Sequence, residues 1–147
     1  MMVLTFIAFI LVAFHVYRQY WANKNLKQIH FGEFDEGRGE ILTIQDTVIA
    51  IQHAKGTADK TIICFPGFTE DARYFQEAYK NCEHEVIFMG NAGYHSPFSL
   101  ENAKSLNWPV NPFEMGTIEH DAFWLGQVIQ SLASASQVVI HGHSRGG

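Results

Sequence analysis

From Met1 to Tyr17 the chain reads MMVLTFIAFILVAFHVY, an apolar run broken only by Thr5 and His15, and RQYW follows. Counted through Trp21 at about 1.5 Å per residue, this is roughly 30 Å of helix, the thickness of a bilayer's hydrocarbon core. Tyr17, Tyr20 and Trp21 would lie at the interface. Periodicity then stops. FGEFDEGRGE, within an expected tether over 22–39, holds three glycines and four acids in ten residues, and the folded part is expected from Glu40.

Beyond the tether the pattern alternates between two periods. Ile41 to Gln45 and Val48 to His53 are β-rich runs around Asp46-Thr47, which predicts a hairpin. TIICF is a short, continuously apolar run of the kind buried on both faces of a parallel sheet, ended by Pro66-Gly67. Phe75, Ala78, Tyr79 and Cys82 then fall at helical spacing, with Thr69 or Asp71 as candidate N-cap, and EVIFMG is the next buried strand. Residues 91–116 are irregular and hold three prolines, with a short helix expected from Ser96-Pro97. A helical stripe follows at Ile118, Ala122, Leu125, Val128, Ile129 and Leu132, with Thr117 as N-cap, and QVVIHG is the last strand. Strand, helix, strand, helix, strand predicts an α/β fold: a mostly parallel sheet with helices on both faces and ligands beyond the strands' carboxyl ends.

Composition narrows the function classes. With 17% charged residues, a net charge of −5 and no Lys/Arg run beyond a sparse cluster at 18–27, nucleic-acid binding is excluded as an expectation. Two cysteines, Cys64 in a strand and Cys82 near a helix end, form neither a disulfide framework nor a zinc-type spacing. The apolar N-terminus lacks the basic n-region and the small-residue cleavage site of a signal peptide, so residues 1–21 read as an uncleaved, single-pass membrane anchor. Arg18, Lys24 and Lys27 on its C-terminal flank place the rest of the chain in the cytoplasm by the positive-inside rule.

The candidate chemistry lies at the C-terminus, where Gly142-His143-Ser144-Arg145-Gly146 matches G-x-S-x-G. That pattern arises by chance in roughly one chain in twenty-five to thirty of this length, so context has to decide. Here it follows the apolar VVI of the third strand in the alternating series, which is the strand-to-turn setting the motif requires. A tight turn pushes the hydroxyl out of the sheet, and small neighbours let strand and following helix approach. The N–H groups of that next helical turn point at charge developing nearby.

From Glu40 to Gly147 the chain resembles the α/β-hydrolase superfamily, and the resemblance implies that Ser144 is the nucleophile of the elbow formed by Gly142, His143 and Gly146. It also implies an oxyanion hole of two backbone N–H groups, which fall on Arg145 and, in CFPGF, on Phe68. Two such amides contribute about 3 to 4 kcal/mol each. Pro66-Gly67-Phe68 stands where many members have His-Gly-x, and MGNAGYHS is a reduced form of the family's D-x-x-G-x-G-x-S turn, keeping Gly93 and Ser96 without the acid. Tyr94, Phe98, Trp108 and Phe113 are candidates for an acyl or alkyl pocket, against the commoner fate of packing within their own loop. No cofactor or metal is expected; His141 and His143 lack a third ligand at a usual spacing.

In this family the acid and the histidine follow the serine, and no residue follows Gly147 here, so the chain reads as the N-terminal part of such a domain. His143 adjoins Ser144 and points elsewhere, and His95 is the least implausible substitute base. The implied activity is a membrane-anchored serine hydrolase acting on a small ester, thioester or lipid-like acyl substrate. Alternatives are a cofactor-free perhydrolase or carbon–carbon hydrolase on the same framework, or a non-catalytic membrane-bound scaffold. The 147 residues alone are expected to give no acyl-enzyme burst with an activated ester; stoichiometric labelling of Ser144 by a fluorophosphonate would contradict this.

Overall fold

The computed structural model describes residues 2–26, 38–67, 70, 72–93 and 96–147. The chain divides into two units, Met1–Phe31 and Gly32–Gly147. In the first, helix α1 (Met2–Leu26) runs five residues beyond the expected anchor boundary at 21, into what was expected to be tether; Ala22 to Leu26 contain neither glycine nor proline to stop it. Between Ile10 and Trp21 its apolar side chains are exposed, and Lys24 Nζ lies 5.1 Å from the Trp21 ring centre. Among the described residues no helix is long and apolar enough to cross a membrane.

The second unit is an α/β domain built on a six-stranded sheet in the order β5-β1-β2-β4-β3-β6. Its strands are β1 (Gly39–Ile44), β2 (Thr47–Gln52), β3 (Lys60–Phe65), β4 (Glu85–Met89), β5 (Lys104–Ser105) and β6 (Gln137–Gly142). Only β2 runs against the other five. The hairpin turns at Gln45-Asp46, one residue earlier than expected, so that Ile44 pairs with Thr47. Gln45 takes φ of 49°, and its side chain donates to Pro109 O at 3.3 Å. β5 was not foreseen: Lys104 and Ser105 are too few and too polar to show a strand pattern, and they pair with Leu42 and Thr43. The helix expected from Ser96-Pro97 is absent. There the Ser96 hydroxyl accepts from Phe98 N–H at 3.1 Å, a local bond that competes with helix.

Helix α2 (Arg73–Tyr79) follows β3 and packs on one face of the sheet, and α3 (Ile118–Ser131) follows β4 and packs on the other. Strand alternation produces the two faces. Ile63, Phe65, Ile87 and Met89 meet Trp124 and Val128 of α3, while Ile62, Cys64, Val86 and Phe88 meet Ala72 and Phe75 of α2. The expected N-caps Thr69 and Asp71 lie outside the described residues; Ala72 occupies the cap position of α2 without a side-chain bond. α2 stops before Cys82, which the apolar spacing had included. On α3, Thr117 Oγ1 does cap by accepting from His120 N–H at 3.2 Å.

The buried stripe of α3 is turned from the one expected. His120, Trp124 and Val128 face inward, and Ile118 is 68% exposed. Of the six expected positions Val128 alone is fully buried, and Ile118, Ala122, Leu125, Ile129 and Leu132 pack partly or line a groove described below, because the helix meets the sheet on one side only. Trp124→Ala is expected to cost about 3 to 5 kcal/mol and Ile118→Ala less than about 0.5 kcal/mol in urea unfolding, the reverse of the order from the apolar stripe, which includes Ile118 and omits Trp124.

Candidate active site

β3 leads through α2 to β4 on one side of it, and β4 leads through α3 to β6 on its other side. The carboxyl ends of β3 and β6 therefore border the point where the winding reverses, the place where open α/β sheets leave a crevice. Pro66-Gly67 leaves the first of these strands and His143-Ser144 the second, brought level by the register Phe65↔Gly142 and by a His143 N–H bond to Phe65 O at 3.2 Å.

Ser144 has φ of 54°, in the left-handed region that a non-glycine residue occupies at a cost, and its side chain is exposed. A single 3₁₀ turn, Ser144–Gly146, follows, with Gly146 N–H donating to His143 O at 2.9 Å and Gly147 N–H to Ser144 O at 3.1 Å. The flanking glycines are required by contact. A Cβ on Gly142 would sit 1.9 Å from Gly146 O, and one on Gly146 would sit 2.2 Å from Phe65 O. Gly67 is the third close approach, since a Cβ there would be 2.9 Å from Ser144 Cβ and 3.1 Å from His143 O. The loop after β3 thus passes against the serine main chain and Cβ.

Two residues hold that loop that the sequence did not single out. Glu70 Oε2 accepts from Gly67 N–H at 3.1 Å and is hydrogen-bonded to His143 Nδ1 at 2.7 Å. Asn91, at the end of β4, donates from Nδ2 to Gly67 O at 2.8 Å and to Glu70 O at 3.3 Å. The bond to His143, reinforced by the Gly67 N–H and by the imidazole's charge, holds the Glu70 carboxyl below the ordinary glutamate value against a smaller opposing effect of burial. Tyr74 stacks on the His143 ring, centres 5.2 Å apart and planes 29° apart. Glu70 and Asn91 both lie in the loops after strand ends, five residues past β3 and two past β4, which is the one signal that marks them in the sequence; their pairing is tertiary.

Arg145, expected to contribute through its main-chain N–H, is also engaged through its side chain: Nη2 donates to Gly116 O at 2.6 Å and pairs with Asp121 Oδ2 at 3.0 Å, tying the turn to the first turn of α3. Beside Asp121, buried His120 reaches Asp46 Oδ2 of the hairpin turn from Nε2 at 3.3 Å. His141 is a packing residue: burial first, then nearby thiols, hold the Tyr79 phenol above its ordinary value, and its hydroxyl is hydrogen-bonded to His141 Nδ1 at 2.8 Å while Phe75 lies edge-on. Among the described residues no hydrogen bond joins a histidine ring to Ser144, and no group of His, Cys, Asp or Glu is arranged to hold a metal ion.

Phe68 and Tyr94 lie outside the described residues, as does His95. Phe98 is buried against Phe75, Cys64 and Phe88, Trp108 packs on Trp124 with ring centres 6.3 Å apart, and Phe113 lies against Phe123. These three sit within their own core or loop contacts, and the structure does not bring them to Ser144. A groove of about 390 Å³ borders the turn, lined by Ile118, Asp121, Ala122 and Leu125 of α3, Ile140 and Gly142 of β6, and Arg145, Gly146 and Gly147; Ser144 itself is not among its lining residues. Comparison with protein-family models, with curated proteins and with solved structures finds no match to this chain.

Gly146→Ala is expected to lose at least about 3 kcal/mol of stability, since its Cβ would overlap a strand carbonyl, whereas Gly147→Ala, whose nearest neighbours are 3.6 Å away, is expected to change it by less than about 0.5 kcal/mol. Thermal unfolding of the two variants side by side measures the difference.

Proposed function

We propose that Ser144 is the nucleophile of a serine hydrolase of the α/β-hydrolase type, acting on carboxylic esters or thioesters. One observation carries this reading: an exposed serine at positive φ, ending a parallel strand at the reversal of winding, with glycines packed so closely that no Cβ fits. Structures store backbone strain of this kind where a side chain has to be presented. In the proposed reaction a base takes the hydroxyl proton as Oγ bonds to the substrate carbonyl carbon. The bond from that carbon to the alcohol or thiol then breaks, the leaving group departs with the proton, and water cleaves the acyl-serine to release the acid. The Arg145 main-chain N–H, at the start of the 3₁₀ turn, and that of Phe68 are the proposed oxyanion donors.

The base and its acid are not supplied by any described histidine, so the proposal takes them from outside the described residues. The groove along α3 and β6 is mainly apolar, through Ile118, Ala122, Leu125 and Ile140, and its two charged residues, Asp121 and Arg145, pair with each other, which favours an acyl or alkyl group over a charged substrate. Membrane attachment through residues 1–21 belongs to the same proposal. It is supported by the apolar sequence, interrupted up to Tyr17 only by Thr5 and His15, and by the exposure of apolar side chains all around the described part of α1, a surface that calls for a lipid or protein cover.

In the protein supplied with its base, Ser144→Ala is expected to lower kcat for p-nitrophenyl butyrate by about 10⁴-fold or more and to abolish the one-per-chain mass increase left by a fluorophosphonate. Full activity in that variant would refute the assignment.

A further inference from the structure

We propose that Glu70 is a positioning residue for Ser144: its carboxylate clamps the loop after β3 onto the turn after β6 through His143, and so sets where that loop's main chain stands relative to the serine. Its catalytic meaning rests on reading Ser144 as a nucleophile, while the clamp itself does not.

One oxygen atom, Oε2 of Glu70, joins the two loops. It accepts the N–H of Gly67, the residue whose missing side chain lets the loop touch Ser144, and it binds Nδ1 of His143, the residue just before Ser144. Both partners are donors in this arrangement, and a carboxylate is acceptor-only, so neither oxygen has an orientation that repels them. The ionised form matters because charge-assisted bonds are about twice as strong as neutral ones. The other side of the loop is held by Asn91, which accounts for the carbonyls of Gly67 and Glu70. Tyr74 closes the arrangement by stacking on the imidazole and limiting its rotation. Glu70 lies upstream of the α2 cap position and makes no capping bond there, so a role in helix stability does not account for these contacts.

Among the described residues, the charge facing Glu70 is that of His143 on the β6 turn, with the Tyr74 phenol of α2 beyond the ring; Gly67 contributes only its backbone dipole. Protonating the carboxyl therefore weakens both bonds at once, and the loop and the serine turn should respond to that single event.

The test is amide NMR of the 147-residue chain titrated from pH 7 to 3, as wild type, Glu70→Gln and His143→Gln. The Gly67 and Ser144 resonances should move with one shared midpoint below the ordinary glutamate value of 4.5. In Glu70→Gln both should be displaced at pH 7 and should lose that shared transition; in His143→Gln the Gly67 midpoint should rise, which keeps the test sharp if either variant is less stable. A Ser144 amide that ignores Glu70→Gln, or midpoints that differ between the two residues, would overturn the clamp. In the protein supplied with its base, Glu70→Gln should also lower kcat tenfold or more with KM within about twofold. An unreactive serine in the wild type with amide coupling intact would sink only the nucleophile reading, and kcat unchanged in Glu70→Gln would sink the positioning role.

Discussion

The parallel pairing of β3 with β6, from Lys60↔Gln137 to Phe65↔Gly142, ends in a contact where three glycines leave no room for side chains. Gly146 lies on the carbonyl of Phe65, Gly142 lies under Gly146, and Gly67 lies against Ser144. Those approaches fold the chain back at Ser144, impose its positive φ and bring the loop after β3 beside the serine. A methyl group at either turn position would separate the strand from the turn and the serine from its neighbours. Every other feature of the candidate site, from the Glu70 bridge to the anchoring of Arg145, presupposes this closeness.

The sheet supplies the rigidity on which that contact stands. Its central strands are apolar on both faces and covered on both, by α2 on one side and α3 on the other, because consecutive right-handed crossovers in opposite directions must leave their helices on opposite faces. Burial fades toward β6. Val139 and Ile140 are 39% and 49% exposed, and with Ile118 they leave apolar surface along the groove beside the turn. The turn thus joins a well-packed strand, β3, to an open one, and the side-chain bonds at its end compensate for packing the edge lacks.

Those bonds run in two directions from Ser144. Through His143 and Glu70 the turn is held to the loop after β3, which Asn91 ties to the end of β4, and through Arg145 and Asp121 it is held to α3, whose His120 separately reaches Asp46 of the hairpin turn. All these groups lie at the carboxyl ends of the strands, since β1 runs parallel to β3, β4 and β6 and its hairpin turn lies at that end. Polar bonds thus fasten the turn on both sides of Ser144, which favours a single geometry over several.

Much of this was legible in the sequence where the signal is local. Continuous apolar runs at TIICF and EVIFMG specify strands covered on both faces, QVVIHG specifies a strand although its faces stay largely open, Thr117 specifies a cap by its own hydroxyl, and the glycines around Ser144 specify a turn by their lack of Cβ. What depended on distant partners was not: the rotation of α3 toward Trp124, the short β5 strand, and the choice of Glu70 and Asn91 as the groups that fasten the Gly67 loop. A residue's period and backbone preference are carried by its near neighbours, so sequence alone determines which segments form strands, helices and the serine turn. Which carboxylate meets which amide is decided by the crossing of strands 73 residues apart in sequence at Glu70 and His143, and only the tertiary structure sets that distance.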